Sequence, residues 1–295
     1  MNDYLVKALA FNGQVRIYAA NTTVIAQTAQ KIHDTWSNST AALGRTLTGA
    51  ALLSAAVLKK SGRLTIKIQG NGPIGAIVAD GDAFGKVKGY LHQPHVELAL
   101  NAQHKIAVGK AVGLPGFLAV TKDLGLKTPF TGEVPLVSGE IGDDLTYYLA
   151  KSEQIPSAVG VSVFVEPNET VKTAGGFLVQ VLPGASQAAI SKVEKRVKQM
   201  APIWKLMARD ASPEFLIKNL VQNDQVEFLE KDLLKYECDC SKKRFSAALA
   251  SISKKELQEI ITKDHQAEAV CRFCGKKYQF SEAELRSFLK KKSEK

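Results

Sequence analysis

Four cysteines, the only four in 295 residues, constrain this chain more than any other feature. They fall as two tight pairs, Cys238-Asp-Cys240 and Cys271-Arg-Phe-Cys274, with thirty residues between the pairs. A tetrahedral divalent ion takes four soft donors at about 2.3 Å, and two short-spaced pairs supply them without the backbone crossing itself. Gly275, directly after the second pair, lets the chain turn tightly. The pattern points to one zinc ion held by Cys238, Cys240, Cys271 and Cys274. Two unrelated structural disulfides would suit a small secreted protein, and inert buried cysteines would be scattered. The chain opens MNDYLVKALAF, with no apolar signal segment, which favours a reducing, cytoplasmic setting.

The surroundings of the cysteines suggest a module that depends on its ion. From Asp232 to Lys295 there are 64 residues, of which 15 are Lys or Arg and 10 are Asp or Glu, with a thin apolar set. Such a segment has little core to spare. Structural zinc contributes about 10 to 16 kcal/mol of apparent binding energy, which in small modules is also folding energy. Removing the ion is expected to unfold the module. Lys242, Lys243 and Arg244 beside the first pair, and Arg272, Lys276 and Lys277 beside the second, are expected to favour thiolates and make both pairs reactive.

Composition bounds the rest. Hydrophobic content of 45% and charge of 23% are ordinary for a globular protein, and the length suits two domains. The longest apolar run, Ala41 to Leu58, is interrupted by Gly44, Arg45 and Gly49, and reads as a core helix. A net charge of +10 raises the alternative of a zinc-stabilised nucleic-acid binder. That charge is spread along the chain, with no single strongly basic segment. The C-x2-C spacing of Cys271 and Cys274 also fits a disulfide oxidoreductase. Nothing else points to catalysis: G-x-S-x-G and G-x4-G-K-[ST] are both missing from the sequence, and the five histidines are scattered. Gly70-Asn-Gly-Pro-Ile-Gly fits a dinucleotide fingerprint on paper, but it joins two strand-like runs and leads into no helix, so it reads as a turn.

The periodicity predicts an α+β fold with a mainly antiparallel sheet and packed helices. A hairpin is expected around Asn12-Gly13. A helix capped by Thr22 or Thr23 should present Val24, Ile25, Thr28, Ala29, Ile32 and Trp36 on one face, with a second helix from Ala41 to Lys60 capped by Ser39 or Thr40. Strands follow at Leu64 to Ile68, Ile74 to Val78, Gly85 to Leu91, Gly116 to Lys122, Thr131 to Val137, Ala158 to Val165 and Gly176 to Leu182, with a helix at Gly142 to Ser152. After Pro183-Gly184-Ala185 the pattern reads as helical throughout, from Ser186 to Lys231. The division expected is an α+β core domain at 1–185, a helical linker at 186–231 and a four-cysteine module at 232–295.

These features together resemble a known family. Cys-x-Cys and Cys-x-x-Cys near the C-terminus follow a helical connector. Upstream stand Tyr148-Leu-Ala-Lys-Ser-Glu-Gln-Ile-Pro-Ser and Ala174-Gly-Gly-Phe-Leu-Val-Gln-Val-Leu-Pro-Gly-Ala. The chain is similar, over nearly its whole length, to the redox-regulated heat-shock chaperones of about 33 kDa, the 33 kDa chaperonins. The resemblance implies a cytoplasmic, ATP-independent holdase that binds unfolding client proteins, inactive while the four cysteines hold zinc. It also implies that oxidation forms Cys238–Cys240 and Cys271–Cys274 disulfides, releases the ion, loosens the connector and favours a homodimer. Four cysteines allow three pairings, so the neighbour pairing comes from the resemblance alone. Those bridges would close loops of three and four residues, worth about 1.6 kcal/mol for the shorter, too little to replace the ion.

Overall fold

The opening hairpin forms as its alternation requires, with β1 (Tyr4–Ala10) and β2 (Val15–Asn21) paired antiparallel from Tyr4 opposite Asn21 to Ala10 opposite Val15. The computed structural model describes residues 2–59 and 61–293, so the expected helix end at Lys60 lies outside the described residues. The chain forms two compact units, Met1–Glu237 and Cys238–Lys295.

In the first unit, α1 (Thr23–His33) and α2 (Ser37–Val57) follow the hairpin. Thr22 stands at the N-cap of α1, but its side chain caps nothing. The orphan amides of Val24 and Ile25 instead donate to the two carboxylate oxygens of Asp3, at 3.0 and 2.7 Å. Val24 and Trp36, placed by periodicity on the apolar face, are 46% and 41% exposed, because Ile25, Ala26 and Ala29 make the buried side. The second helix begins at Ser37, four residues before the expected start, with Trp36 as an N-cap that makes no side-chain bond.

Next come β3 (Arg63–Gly70), β4 (Ala76–Asp82), β5 (Lys86–Leu91), α3 (Val108–Val112), β6 (Gly116–Asp123), β7 (Phe130–Pro135), α4 (Gly142–Lys151), β8 (Ser157–Val165) and β9 (Val171–Val181). The connector then supplies α5 (Gln187–Gln199), α6 (Ile203–Arg209), α7 (Pro213–Val221), β10 (Val226–Leu233) and β11 (Lys235–Tyr236). Two sheets result, ordered β10-β1-β2-β9-β8 and β11-β5-β4-β3-β6-β7, antiparallel except for β11 beside β5.

Helix α2 explains why the sheets need so many apolar residues. It touches β2, β8 and β9 of one sheet and β3, β4 and β5 of the other, so 16 of its 21 residues are buried. Small residues allow this approach: a Cβ on Gly44 would sit 2.8 Å from Cγ2 of Val163 in β8. Buried threonines satisfy themselves locally, as when Thr46 Oγ1 donates to the Ala42 carbonyl at 2.8 Å. Among the described residues this helix alone is long and apolar enough to cross a membrane, yet 78% of its most apolar window is buried inside the fold. The glycine-rich turn has a packing role too. Gly72 N–H donates to the Val112 carbonyl at 2.8 Å, and a Cβ on Gly70 would lie 2.1 Å from the Gly113 oxygen.

The connector is not helical throughout. Its helices α5 to α7 do bury an apolar stripe, with Val193, Leu206, Met207, Leu216, Ile217 and Leu220 packed on Val6, Ala8, Ile17, Phe177 and Val179. Residues 226–233 instead form β10, which pairs with β1 across a bulge at Lys7/Ala8. Its alternating charges, Glu227, Glu230 and Asp232 among Phe228, Leu229 and Leu233, suit an exposed edge, and every one of its residues after Val226 is exposed.

Candidate metal centre

The second unit holds α8 (Lys242–Ser251), α9 (Lys254–Lys263), β12 (Gln266–Val270), β13 (Lys277–Ser281) and α10 (Glu282–Ser293). Serines set its helix starts. Ser253 and Glu256 form a capping box on α9, and Ser281 with Glu284 does the same for α10. Its core is small: Leu257, Ile261, Tyr278, Phe280 and Leu285 are the buried members, ringed by half-buried residues including Cys240 and Phe245.

The four cysteines converge at one end of this unit. All four sulfurs lie within 4.8 Å of one another, and none is in a disulfide. Cys238 Sγ is 3.7 Å from Cys271 Sγ, and Cys240 Sγ is 3.4 Å from Cys274 Sγ. Four sulfurs at about 2.3 Å from one tetrahedral ion stand about 3.8 Å apart, so the donor set fits a divalent metal. With four thiols and no open position, such a site is of the structural kind. The second pair sits on a tight turn. Gly275, at a φ of 69°, donates its N–H to the Cys271 carbonyl at 2.8 Å, while Cys271 N–H donates to the Lys276 carbonyl at 2.9 Å. The amides of Cys240 and Lys276 donate to the sulfurs of Cys238 and Cys274.

The electrostatics differ from the sequence expectation. Burial pushes the Cys238 and Cys274 thiols up. Burial also opposes ionisation of Cys240, but bonds from Tyr278 and the other three cysteines outweigh it and bring that thiol down to about 7. Three of the six flanking cations pair with carboxylates: Lys242 with Glu284 at 2.7 Å and Arg244 with Asp239 at 3.0 Å. Lys277 pairs with Glu268 at 3.2 Å.

Tyr278 was visible in the sequence only as an apolar residue. Its hydroxyl lies 3.1 Å from Cys240 Sγ, and contact with the thiols pushes its own pKa up to about 12. Only the pairing of β12 with β13, which sets Tyr278 opposite Ala269, brings it to the sulfurs. No spacing rule would have found it.

The model of the family described as Hsp33 protein matches residues 3–281. The chain belongs to the Hsp33 family. Among curated relatives, the 33 kDa chaperonin of Levilactobacillus brevis is 57% identical over 98% of each chain. That of Latilactobacillus sakei is 54% identical over 98% of this chain and 99% of its own. The crystal structure of the 33 kDa chaperonin from Thermotoga maritima superposes with a TM-score of 0.91 at 38% identity, covering 100% of both chains. The function of this Hsp33-family protein is therefore that of a chaperone, in a family of chaperones and not of enzymes, and the α+β architecture is the family's own.

Proposed function

We propose that the chain is a redox-regulated, ATP-independent holdase that binds unfolding client proteins under oxidative and heat stress. The observation that carries this reading is the cluster of four free cysteines in a unit whose apolar cluster has, among the described residues, five buried members. Cys238, Cys240, Cys271 and Cys274 hold one zinc ion in the resting state, and the ion ties the two turns together. A peroxide supplies the oxidising power. For each bridge two thiolates lose two electrons to the O–O bond, two protons are taken up, one S–S bond forms and two waters leave.

In this reading the bridges are Cys238–Cys240 and Cys271–Cys274. Each is confined to its own turn, so nothing replaces the tie between residues 240 and 271, and the ion leaves as its ligands are consumed. The pairing rests on the family resemblance, since sulfurs also approach one another between the pairs, at 3.7 Å for Cys238 and Cys271 and 3.4 Å for Cys240 and Cys274. Melting of the module frees the chain at residue 237 and loosens the linker at 186–231. One feature supports a labile linker: strand β10, exposed along nearly all its length, is held by its main-chain ladder to β1 and by surface ion pairs. Loosening of α5 to α7 would then uncover the apolar face of Val6, Ala8, Ile17 and Phe177. Freed apolar surface is what captures a client, and it also supports homodimer formation in the oxidised state. The setting is cytoplasmic, where thiols stay reduced until stress.

The test measures metal, thiols and activity on the same full-length sample. One zinc per chain and four free thiols are expected before treatment. Peroxide with mild heat should leave no bound zinc and two bridges mapping within the turns, and only then should aggregation of a heat-unfolded client be suppressed. Equal suppression by the reduced, zinc-loaded protein would overturn the reading.

A further inference from the structure

One phenol hydroxyl stands beside the sulfurs, and packing does not account for it. Tyr278 is buried in the small apolar cluster of the second unit. Its ring centroid lies 4.9 Å from that of Phe245 and 5.5 Å from Lys276 Nζ. Phenylalanine would fill the same space, as Phe280 does in the same cluster. A buried hydroxyl needs a hydrogen-bond partner, and this one finds Cys240 Sγ at 3.1 Å.

The four sulfurs are shielded in different ways. Cys271 is 4% exposed, so burial covers it. Cys238 and Cys274 are half-buried, and each accepts a main-chain amide, from Cys240 and from Lys276. Those donors belong to the backbone and do not depend on which side chains follow. Cys240 is half-buried as well, but its donor is the Tyr278 hydroxyl. A single substitution can therefore remove it.

Oxidation by peroxide begins when a cysteine sulfur gives an electron pair to one peroxide oxygen. The O–O bond breaks, hydroxide leaves and takes a proton from water, and the sulfur becomes a sulfenic acid. A second cysteine sulfur then displaces hydroxide from the first, that hydroxide is likewise protonated, and the S–S bond forms. The first step draws electron density out of the sulfur. A hydrogen bond held by that density weakens as the step proceeds, and so raises its barrier. Packing of the ring against Phe245 and the pairing of β12 with β13 hold the hydroxyl at the sulfur. We infer that Tyr278 is a positioning residue that holds Cys240 back from peroxide, its hydroxyl setting how much oxidant the reduced centre withstands before it opens. The inference rests on the redox reading and deepens it by naming the side chain that sets the threshold.

The experiment compares the full-length wild-type protein with Tyr278→Phe, both kept saturated by buffered free zinc, and follows the loss of thiols at several peroxide concentrations. The slope of rate against peroxide reports attack on the loaded centre, because saturation suppresses any path through prior loss of metal. Tyr278→Phe should raise that slope by about tenfold, as for the loss of one hydrogen bond to a charged group. The same two proteins loaded with cobalt(II) give a readout independent of oxidation. Loss of a donor to sulfur should move the sulfur-to-metal charge-transfer band to lower energy, which a change in packing alone would not do. An equal or smaller slope in Tyr278→Phe, or an unmoved cobalt band, would overturn the inference and leave the redox reading standing. A Tyr278→Phe protein that takes up no metal would also overturn it, since the hydroxyl would then serve binding and not reactivity. Wild-type protein that keeps all four thiols under peroxide would instead sink the redox reading, and this inference with it.

Discussion

The two ends of the molecule solve the same problem by different means. Around α2, forty-two buried apolar residues form one continuous core, and the helix is closed in by a sheet on either side. Around the cysteines, among the described residues, five are buried in the apolar cluster, while four sulfurs converge within 4.8 Å. Burial of apolar area is spread over many contacts and fades gradually when one is lost. Coordination is concentrated in one centre and fails all at once. A protein that must keep one part folded while another part responds to its surroundings gains from having both.

The largest expected effect breaks the second region and spares the first. Cys240→Ser, or removal of zinc by a chelator, should abolish hydrogen-exchange protection over residues 238–293 and leave the strands of the first unit protected. The loss corresponds to about 10 kcal/mol or more of apparent stabilisation. Protection that survives in β12 and β13 would show that the small core suffices without the ion.

The converse perturbation targets the first region. Leu47 is fully buried on α2, and Leu47→Ala should cost about 2 to 5 kcal/mol in the unfolding of the first unit. Zinc content should not change. A parallel loss of zinc would mean that the two regions are not independent.

A pH effect of about 3 kcal/mol is expected from Asp3. Burial pushes its carboxyl up to about 6, against the opposing amides of Ile25 and Val24, from an ordinary 3.8. The folded state therefore holds a proton that the unfolded state has lost between pH 4 and 6. Stability of the first unit should fall as pH rises through that window and level off above it. Asp3→Asn should flatten this slope in denaturant titrations, and an unchanged slope would remove Asp3 from the account.

A smaller change sharpens the picture of the sulfurs. Tyr278→Phe removes the hydroxyl 3.1 Å from Cys240 while keeping the ring in the core. Metal affinity, read by competition with a chromogenic chelator, should drop by about tenfold, as for other partners of ligand atoms. An unaltered affinity would make the contact incidental.

Much of this was legible in the sequence, and the reason is local physics. Cysteine spacing needs only short turns to bring ligands together, so Cys238, Cys240, Cys271 and Cys274 could be singled out as one cluster. Strand alternation and turn residues likewise placed the hairpin at Asn12-Gly13 and the strands from Leu64 to Leu182, within a few residues. Where capping depended on a distant residue, the reading failed: Asp3, 21 and 22 residues upstream of Val24 and Ile25, takes amides that Thr22 or Thr23 was expected to cap. Residues 226–233 failed for a related reason. Their apolar spacing fits a helix, but β1 has an unfilled edge, and pairing with it settles the conformation.

The sequence alone determined which side chains could ligate a metal, which segments could alternate and which helix had to be buried, because those properties depend on residues close together along the chain. Only the tertiary structure decided that Tyr278 meets Cys240 and that β10 is a strand. Each of these depends on which surfaces are brought face to face, and that is set by the packing of the whole fold.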